Sequence, residues 1–266
     1  MQTYRYYKEL AKKSLQGNFI KCIVAFLFVS LLPVLNSALE MRFPDNTKLL
    51  TVISLISTVI LVPCFKMGAI EYLFDTIRNN KPPLGNMFNG FKYILKLIPV
   101  GLARVISFAP FIIASIVFIN IMPEETMNIL TEYAKDTSNT EILKAITDEQ
   151  FNTMYIMELI WIFTVIISVY LNTHLSLCEY ILCNEKASGF SSVFKSIKMM
   201  KGYILYYIGF SLSFILWFMA AAFTGGISLI ILHPYQQTAY IMFYMDRLLK
   251  DSEADIEIND DTIKEE

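Results

Sequence analysis

No aspartate, glutamate, lysine or arginine occurs between Gly202 and Met245, where His233 is the one titratable group apart from tyrosines. These 44 residues are too many for one buried core helix and enough for two bilayer spans of about 20 residues each. Charge is scarce throughout. Charged residues make up 17% of the chain and hydrophobic ones 55%, against about 25% charged in an ordinary soluble domain. Only four cysteines occur, Cys22, Cys64, Cys178 and Cys183, all in or beside apolar runs. That excludes a disulfide framework and leaves them as small packed side chains. Phosphate loop, dinucleotide fingerprint, metalloprotease motif and kinase set are all missing, which argues against a soluble-type ATPase or dehydrogenase. No cofactor, metal or nucleic-acid partner is expected.

What is present is a series of apolar runs parted by basic or polar segments. Residues 1–21 read as an amphipathic helix. Tyr4, Tyr7, Leu10, Ala11 and Leu15 interleave with Arg5, Lys8, Lys12 and Lys13, which predicts a helix in the headgroup region with its apolar side toward hydrocarbon. Six spans are expected, near 19–39, 49–74, 97–122, 155–183, 203–224 and 227–248. Pro99 and Pro110 interrupt the third and Pro234 kinks the sixth, as packed membrane helices tolerate. Further amphipathic pieces at 84–96 and 184–202 precede the third and fifth spans. The basic start and first apolar run are both too long for an ordinary signal peptide, so that run is read as a retained span. The expected fold is all-α: a polytopic membrane protein of about six transmembrane helices in three hairpins with interfacial amphipathic helices. Residues 1–249 form the membrane domain, including an acidic loop at 123–153. Residues 250–266 form an acidic disordered tail.

Orientation follows from the cations. With both termini and the two basic loops on one side, that side holds 17 of the 22 Lys and Arg residues. The other side holds Arg42, Lys48, Lys135 and Lys144, and Arg104 lies within a span. Such a bias makes the lysine-rich side cytoplasmic. The expected location is the cell membrane, with N- and C-termini in the cytoplasm.

Three outward-going spans share a lead-in of amphipathic stretch, glycine and aromatic residue: Gly17-Asn18-Phe19, Gly90-Phe91 and Gly202-Tyr203. The second and sixth spans share Pro63, Ala69, Phe74 and Pro234, Ala239, Tyr244. Together they suggest three related hairpins. Several of these segments resemble the domain-of-unknown-function family 975, integral membrane proteins found mainly in Gram-positive bacteria. The resembling pieces are Ala11–Phe19, Phe88-Asn89-Gly90-Phe91, Ser196–Gly202, and Gly226 through Pro234-Tyr235 and Ala239 to Phe243-Tyr244. The resemblance covers roughly residues 5–248. It implies a multi-span helical membrane protein and transfers no functional residue.

Ionisable groups within spans are costly in hydrocarbon and so are candidate sites. Four qualify: Arg104, His174, Glu179 and His233. If the third and fourth spans are neighbours, Arg104 and Glu179 could pair; the simpler expectation is that Arg104 snorkels and Glu179 is already wet. His174 and Cys178 share a helix face, but Cys183 lies on the opposite one, a poor zinc arrangement. Gly209-Phe210-Ser211 with His233 invites comparison with rhomboid intramembrane proteases, but Leu212 stands where that motif has glycine. Lys186, Lys195, Lys198 and Lys201, on a stretch with Phe190, Val193, Phe194 and Ile197, are candidate contacts for anionic lipid. The leading functional expectation is a non-catalytic accessory or scaffold protein acting through membrane lipids or other membrane proteins. A transporter using a cavity between hairpins is the alternative, and an intramembrane enzyme the third.

Overall fold

A side-chain cap starts each of the two lysine-rich helices, and a glycine turn ends it. The computed structural model describes residues 2–43, 47–78, 80–135 and 146–264. Lys144 of the acidic loop lies outside them. Helix α1 (Tyr4–Leu15) starts where the Thr3 hydroxyl accepts Tyr6 N–H, and α10 (Gly189–Met200) where the Ser188 hydroxyl accepts Ser191 N–H. Each cap satisfies a backbone donor that the first helical turn leaves unpaired. The exits also match. Gln16 (φ −58°, ψ 131°), Gly17 (φ 79°) and Asn18 (φ −121°, ψ 5°) lead into α2 (Phe19–Arg42). Lys201 (φ −57°, ψ 124°), Gly202 (φ 80°) and Tyr203 (φ −117°, ψ 3°) lead into α11 (Ile204–Leu212). The central positive φ is one that glycine adopts without steric cost.

The middle lead-in differs. Residues Leu84–Tyr93 form a 3₁₀ segment, and Gly90 lies inside it. A Cβ on Gly90 would overlap the Cys64 carbonyl, and one on Gly68 would overlap the Met87 carbonyl. These glycines bring the 3₁₀ segment and α4 (Val62–Ile77) into backbone contact, the close approach that small residues permit between membrane helices.

Four helices are long and apolar enough to cross a membrane: Phe19–Arg42, Lys48–Ile77, Asp148–Glu185 and Ile204–Phe223. The second comprises α3 (Thr47–Ile56), a π turn (Ser57–Leu61) and α4. A fifth is counted if Leu84–Ser107 and Ala109–Ile121, bent by 49°, form one span. This pair includes α5 (Ile94–Ser107) and α6 (Ala109–Ile121), and the bend falls where Pro110 opens α6. By length and composition alone, four of the expected spans are met among the described residues, or five with the bent pair. The missing one, near 227–248, is helical within α13 (Ile227–Lys264), but His233, Gln236 and Gln237 make its middle too polar. The reason is its surroundings. Leu232, Thr238, Ala239, Ile241 and Tyr244 of α13 are wholly buried, so this helix is solvated by protein rather than by hydrocarbon. By contrast α6 has no buried residue. In a bilayer the most apolar helices belong outside and the more polar ones inside.

By compactness the chain divides into two units, Met1–Gly101 with His174–Glu266, and Leu102–Thr173, where one membrane domain was expected. In the smaller unit α6 packs on α8 (Asp148–Thr173). Trp161 Nε1–H donates to Ser115 Oγ at 3.0 Å and its ring lies 4.9 Å from that of Phe111. The polar helix α7 (Glu124–Lys135) lies in the first described part of the acidic loop, and α8 begins within the second.

In the larger unit the core is aromatic, with Tyr7, Tyr72, Tyr244, Phe26, Phe74, Phe210, Phe214 and Phe243 fully buried. Each lead-in segment packs on the returning helix of the preceding hairpin: the 3₁₀ segment on α4, α10 on α9 (Cys178–Glu185), and α1 on α13. The expectation that the apolar face of α1 meets hydrocarbon is therefore corrected. Tyr7, Ala11 and Leu15 are buried against protein, with Tyr4 stacked on Phe210 and Tyr7 edge-on to Phe243. Helix α13 runs on to Lys264, past residue 250 where the tail was expected to start. Lys198 Nζ lies 3.5 Å from Asp251 and ties the first part of that extension to α10.

Candidate functional site

The four intramembrane candidates do not share one environment. Glu179 opens α9, is buried, and meets Lys66 of α4 at 3.2 Å. The sequence offers Arg104 as a partner for Glu179 and gives no sign of Lys66. Arg104 is half-buried in the smaller unit, where its carbonyl accepts the Ser107 hydroxyl at 2.7 Å. His174 lies in the turn between α8 and α9, within the stretch Asp148–Glu185 that is fit to cross a membrane. Ser196 of α10 splints that turn: its hydroxyl donates to the His174 carbonyl at 2.6 Å and accepts Leu177 N–H at 3.2 Å. His233 Nδ1 pairs with Ser30 Oγ at 3.0 Å, beside the Phe26 ring. Ser211 accepts the Tyr240 hydroxyl at 3.0 Å, and Gln236 Nε2–H donates to that same hydroxyl at 2.9 Å. Ser211 and His233 thus have different partners.

Where α4, α9 and α13 meet, a polar chain runs through the aromatic core. Arg78 donates to Asn184 Oδ1 at 2.6 Å, and Asn184 Nδ2–H donates to Tyr244 Oη at 3.1 Å. Tyr244 donates to Glu185 Oε1 at 2.9 Å, and Lys195 holds the other oxygen of that carboxylate at 2.7 Å. Tyr180 donates to Gln237 at 2.8 Å. A second chain fixes α1: Tyr7 donates to Asp246 at 2.8 Å, and Asp246 also takes Lys250 at 3.0 Å. Burial, then Asp246, raises the pKa of the Tyr7 hydroxyl above its ordinary range. Lys8 donates to the Ser213 carbonyl at 2.8 Å and lies 4.2 Å from the centre of the Phe214 ring. Burial lowers its ammonium pKa.

Helix α10 turns its faces opposite to a core helix. Its protein side is Gly189, Ser192, Ser196, Met199 and Met200, all buried. Gly189 lies against the Lys96 carbonyl and the Pro99 ring. Phe190 and Phe194 are 66% and 71% exposed, and Ile197 lies beside them on the open side. Of the four candidate lysines, Lys195 pairs with Glu185 and Lys198 with Asp251. Lys201 caps α10 and is exposed. Lys186 ends α9 in the left-handed region (φ 53°), and its carbonyl accepts Lys96 Nζ at 3.0 Å.

Residues 1–250 match the family described as Protein of unknown function (DUF975). The chain belongs to this family. No curated protein matches it, and no solved structure does.

In this DUF975 protein the residues that sequence reasoning missed are mostly tyrosines and amides: Tyr7, Tyr180, Tyr240, Tyr244, Asn184, Gln236 and Gln237. Their signal was available as an absence. A membrane stretch without charge that still holds two glutamines needs internal partners for them. Glu185 escaped notice because it sits just past the expected end of its span. Among the described residues no three His, Cys, Asp or Glu side chains form a group that could hold a metal ion.

Proposed function

We propose that this chain is a non-catalytic protein of the bacterial cell membrane, with both termini cytoplasmic, acting as an accessory or scaffold component through anionic lipid and protein partners. The observation that carries this reading is α10. Gly189, two serines and two methionines face the protein, whereas Phe190, Phe194 and Ile197 face outward on a helix that also bears Lys195 and Lys198 and is capped by Lys201. An outward apolar edge flanked by cations suits the boundary between headgroups and acyl chains. Lys198 keeps an open side chain despite its pairing with Asp251, so anionic headgroups still reach it. The aromatic filling of the larger unit also favours a scaffold over a permeation path. The family match brings no activity to weigh against this.

A peptide spanning 186–201 tests it on neutral and anionic vesicles. Tighter partitioning into the anionic vesicles is expected, by about fivefold for each lysine that reaches the surface. Equal partitioning would remove the lipid reading. Solute-driven flux in proteoliposomes of the whole protein, lost in Glu179→Gln, would replace the scaffold reading with a transporter.

A further inference from the structure

A cavity of about 480 Å³ opens between α1, the start of α2, α12 (Ile215–Phe223) and α13. Its walls are apolar and include Leu15, Phe19, Trp217 and Ile231, while Lys12 and Gln16 supply polar groups. Trp217 and Ile231 are 42% and 40% exposed, so the cavity opens sideways, toward the medium around the apolar helix Ile204–Phe223. That helix is one of those fit to span a bilayer, and the medium there is acyl chain. Lys12 and Gln16 are exposed. Arg5 and Lys8 on the same helix are engaged by Glu9 and by the Ser213 carbonyl. Lys12, among the described residues, has no carboxylate partner.

The volume lies in the range of small-molecule sites, but a water-soluble solute would find few polar groups to hold it. An occupant must be apolar over most of its length and anionic at one end. We propose that this groove binds one anionic glycerophospholipid, with an acyl chain along Leu15, Trp217 and Ile231 and the headgroup phosphate accepting from Lys12 Nζ and Gln16 Nε2. Charge-assisted bonds to phosphate are the stronger class of polar contact, and the lateral opening lets a lipid enter without leaving the bilayer. The site requires only that the chain sits in a membrane. It shares no residue with α10.

The test uses the whole protein with Trp161→Phe, which leaves Trp217 as the one tryptophan of the two in the chain. It is reconstituted in phosphatidylcholine vesicles with a minor fraction of phosphatidylglycerol, one or other lipid carrying brominated chains that quench nearby indole. Brominated phosphatidylglycerol is expected to quench Trp217 about fivefold more effectively per molecule, the discrimination typical of one cation at a lipid surface. Adding Lys12→Gln should bring the ratio to about one, with an unchanged elution profile because Lys12 is exposed. Equal quenching by both lipids overturns the proposal, as does a preference that survives Lys12→Gln. Relief of quenching by soluble glycerol phosphate also overturns it, by identifying a free anion as the ligand. Because α10 is intact throughout, failure here leaves the α10 reading standing, and failure of the 186–201 peptide leaves this one standing.

Discussion

A buried carboxylate beside a lysine is a costly arrangement in a protein core, and it decides how Glu179 behaves. Glu179 is 6% exposed at its side chain and Lys66 30%, so solvent screens the pair only in part. Removing one partner of such a pair strands the other charge. Lys66→Met is expected to lower stability in detergent, and Glu179→Gln in the same background to restore part of the loss. Thermal unfolding of the four proteins should give a coupling of about 1–2 kcal/mol; additive effects would show that the contact carries none. Tyr7 gives a pH-dependent counterpart. Its folded pKa is raised above the unfolded value of about 10. Its contribution is therefore intact below that value and is lost as pH rises through the folded one. Alkaline titration should loosen α1, and Tyr7→Phe should abolish that step while costing about 1–2 kcal/mol at neutral pH. At this scale the sequence revealed which groups are expensive, Glu179 and His233 among them, because cost depends on residue type and span position. It did not reveal their partners. Lys66 lies 113 residues from Glu179, and Ser30 lies 203 from His233. No local pattern encodes such distances.

Elements were more legible where their signals are local. The caps at Thr3 and Ser188 and the turns at Gly17 and Gly202 follow from residue type and backbone preference. Gly90, in the same lead-in pattern, serves close contact instead, and this difference is testable. Gly90→Ala should destabilise by about 1–3 kcal/mol, as overpacking does. Gly85→Ala, in the same 3₁₀ segment with open space around it, should lie within about 0.5 kcal/mol of the parent. Equal losses at both sites would mean that the Gly90 backbone contact does not set the effect. The break between α11 and α12 was not legible at all. Neither proline nor glycine marks Ser213-Phe214, and the released Ser213 carbonyl is taken by Lys8, 205 residues away. Polarity in the last helix carries information of another kind. Gln236 and Gln237 lower its apolarity because they bond to Tyr240 and Tyr180, a sign of a central position that a count of spans treats as weakness.

For the whole molecule, the lysine distribution and the helices fit to cross a membrane make a joint prediction. Reporter tags fused at the two termini should both report the cytoplasm. Tags in opposite compartments would require an odd number of crossings and would leave α13 outside the bilayer. The all-helical class was legible because hydrocarbon imposes it on any long uncharged run. The division into two units was not, since it depends on which helices find partners rather than on which are apolar.

Docking α1 on α13 has a consequence for biosynthesis. The Tyr7–Asp246 bond joins residues 239 positions apart, so α1 leaves the ribosome well before the helix on which it docks. At about 5–20 residues per second, its aromatic face stays unmatched for roughly 10–50 s. During that interval the bilayer surface is the natural parking place for a basic amphipathic segment. The role that sequence alone suggests for α1 would then describe the nascent chain, and the docked position the finished one.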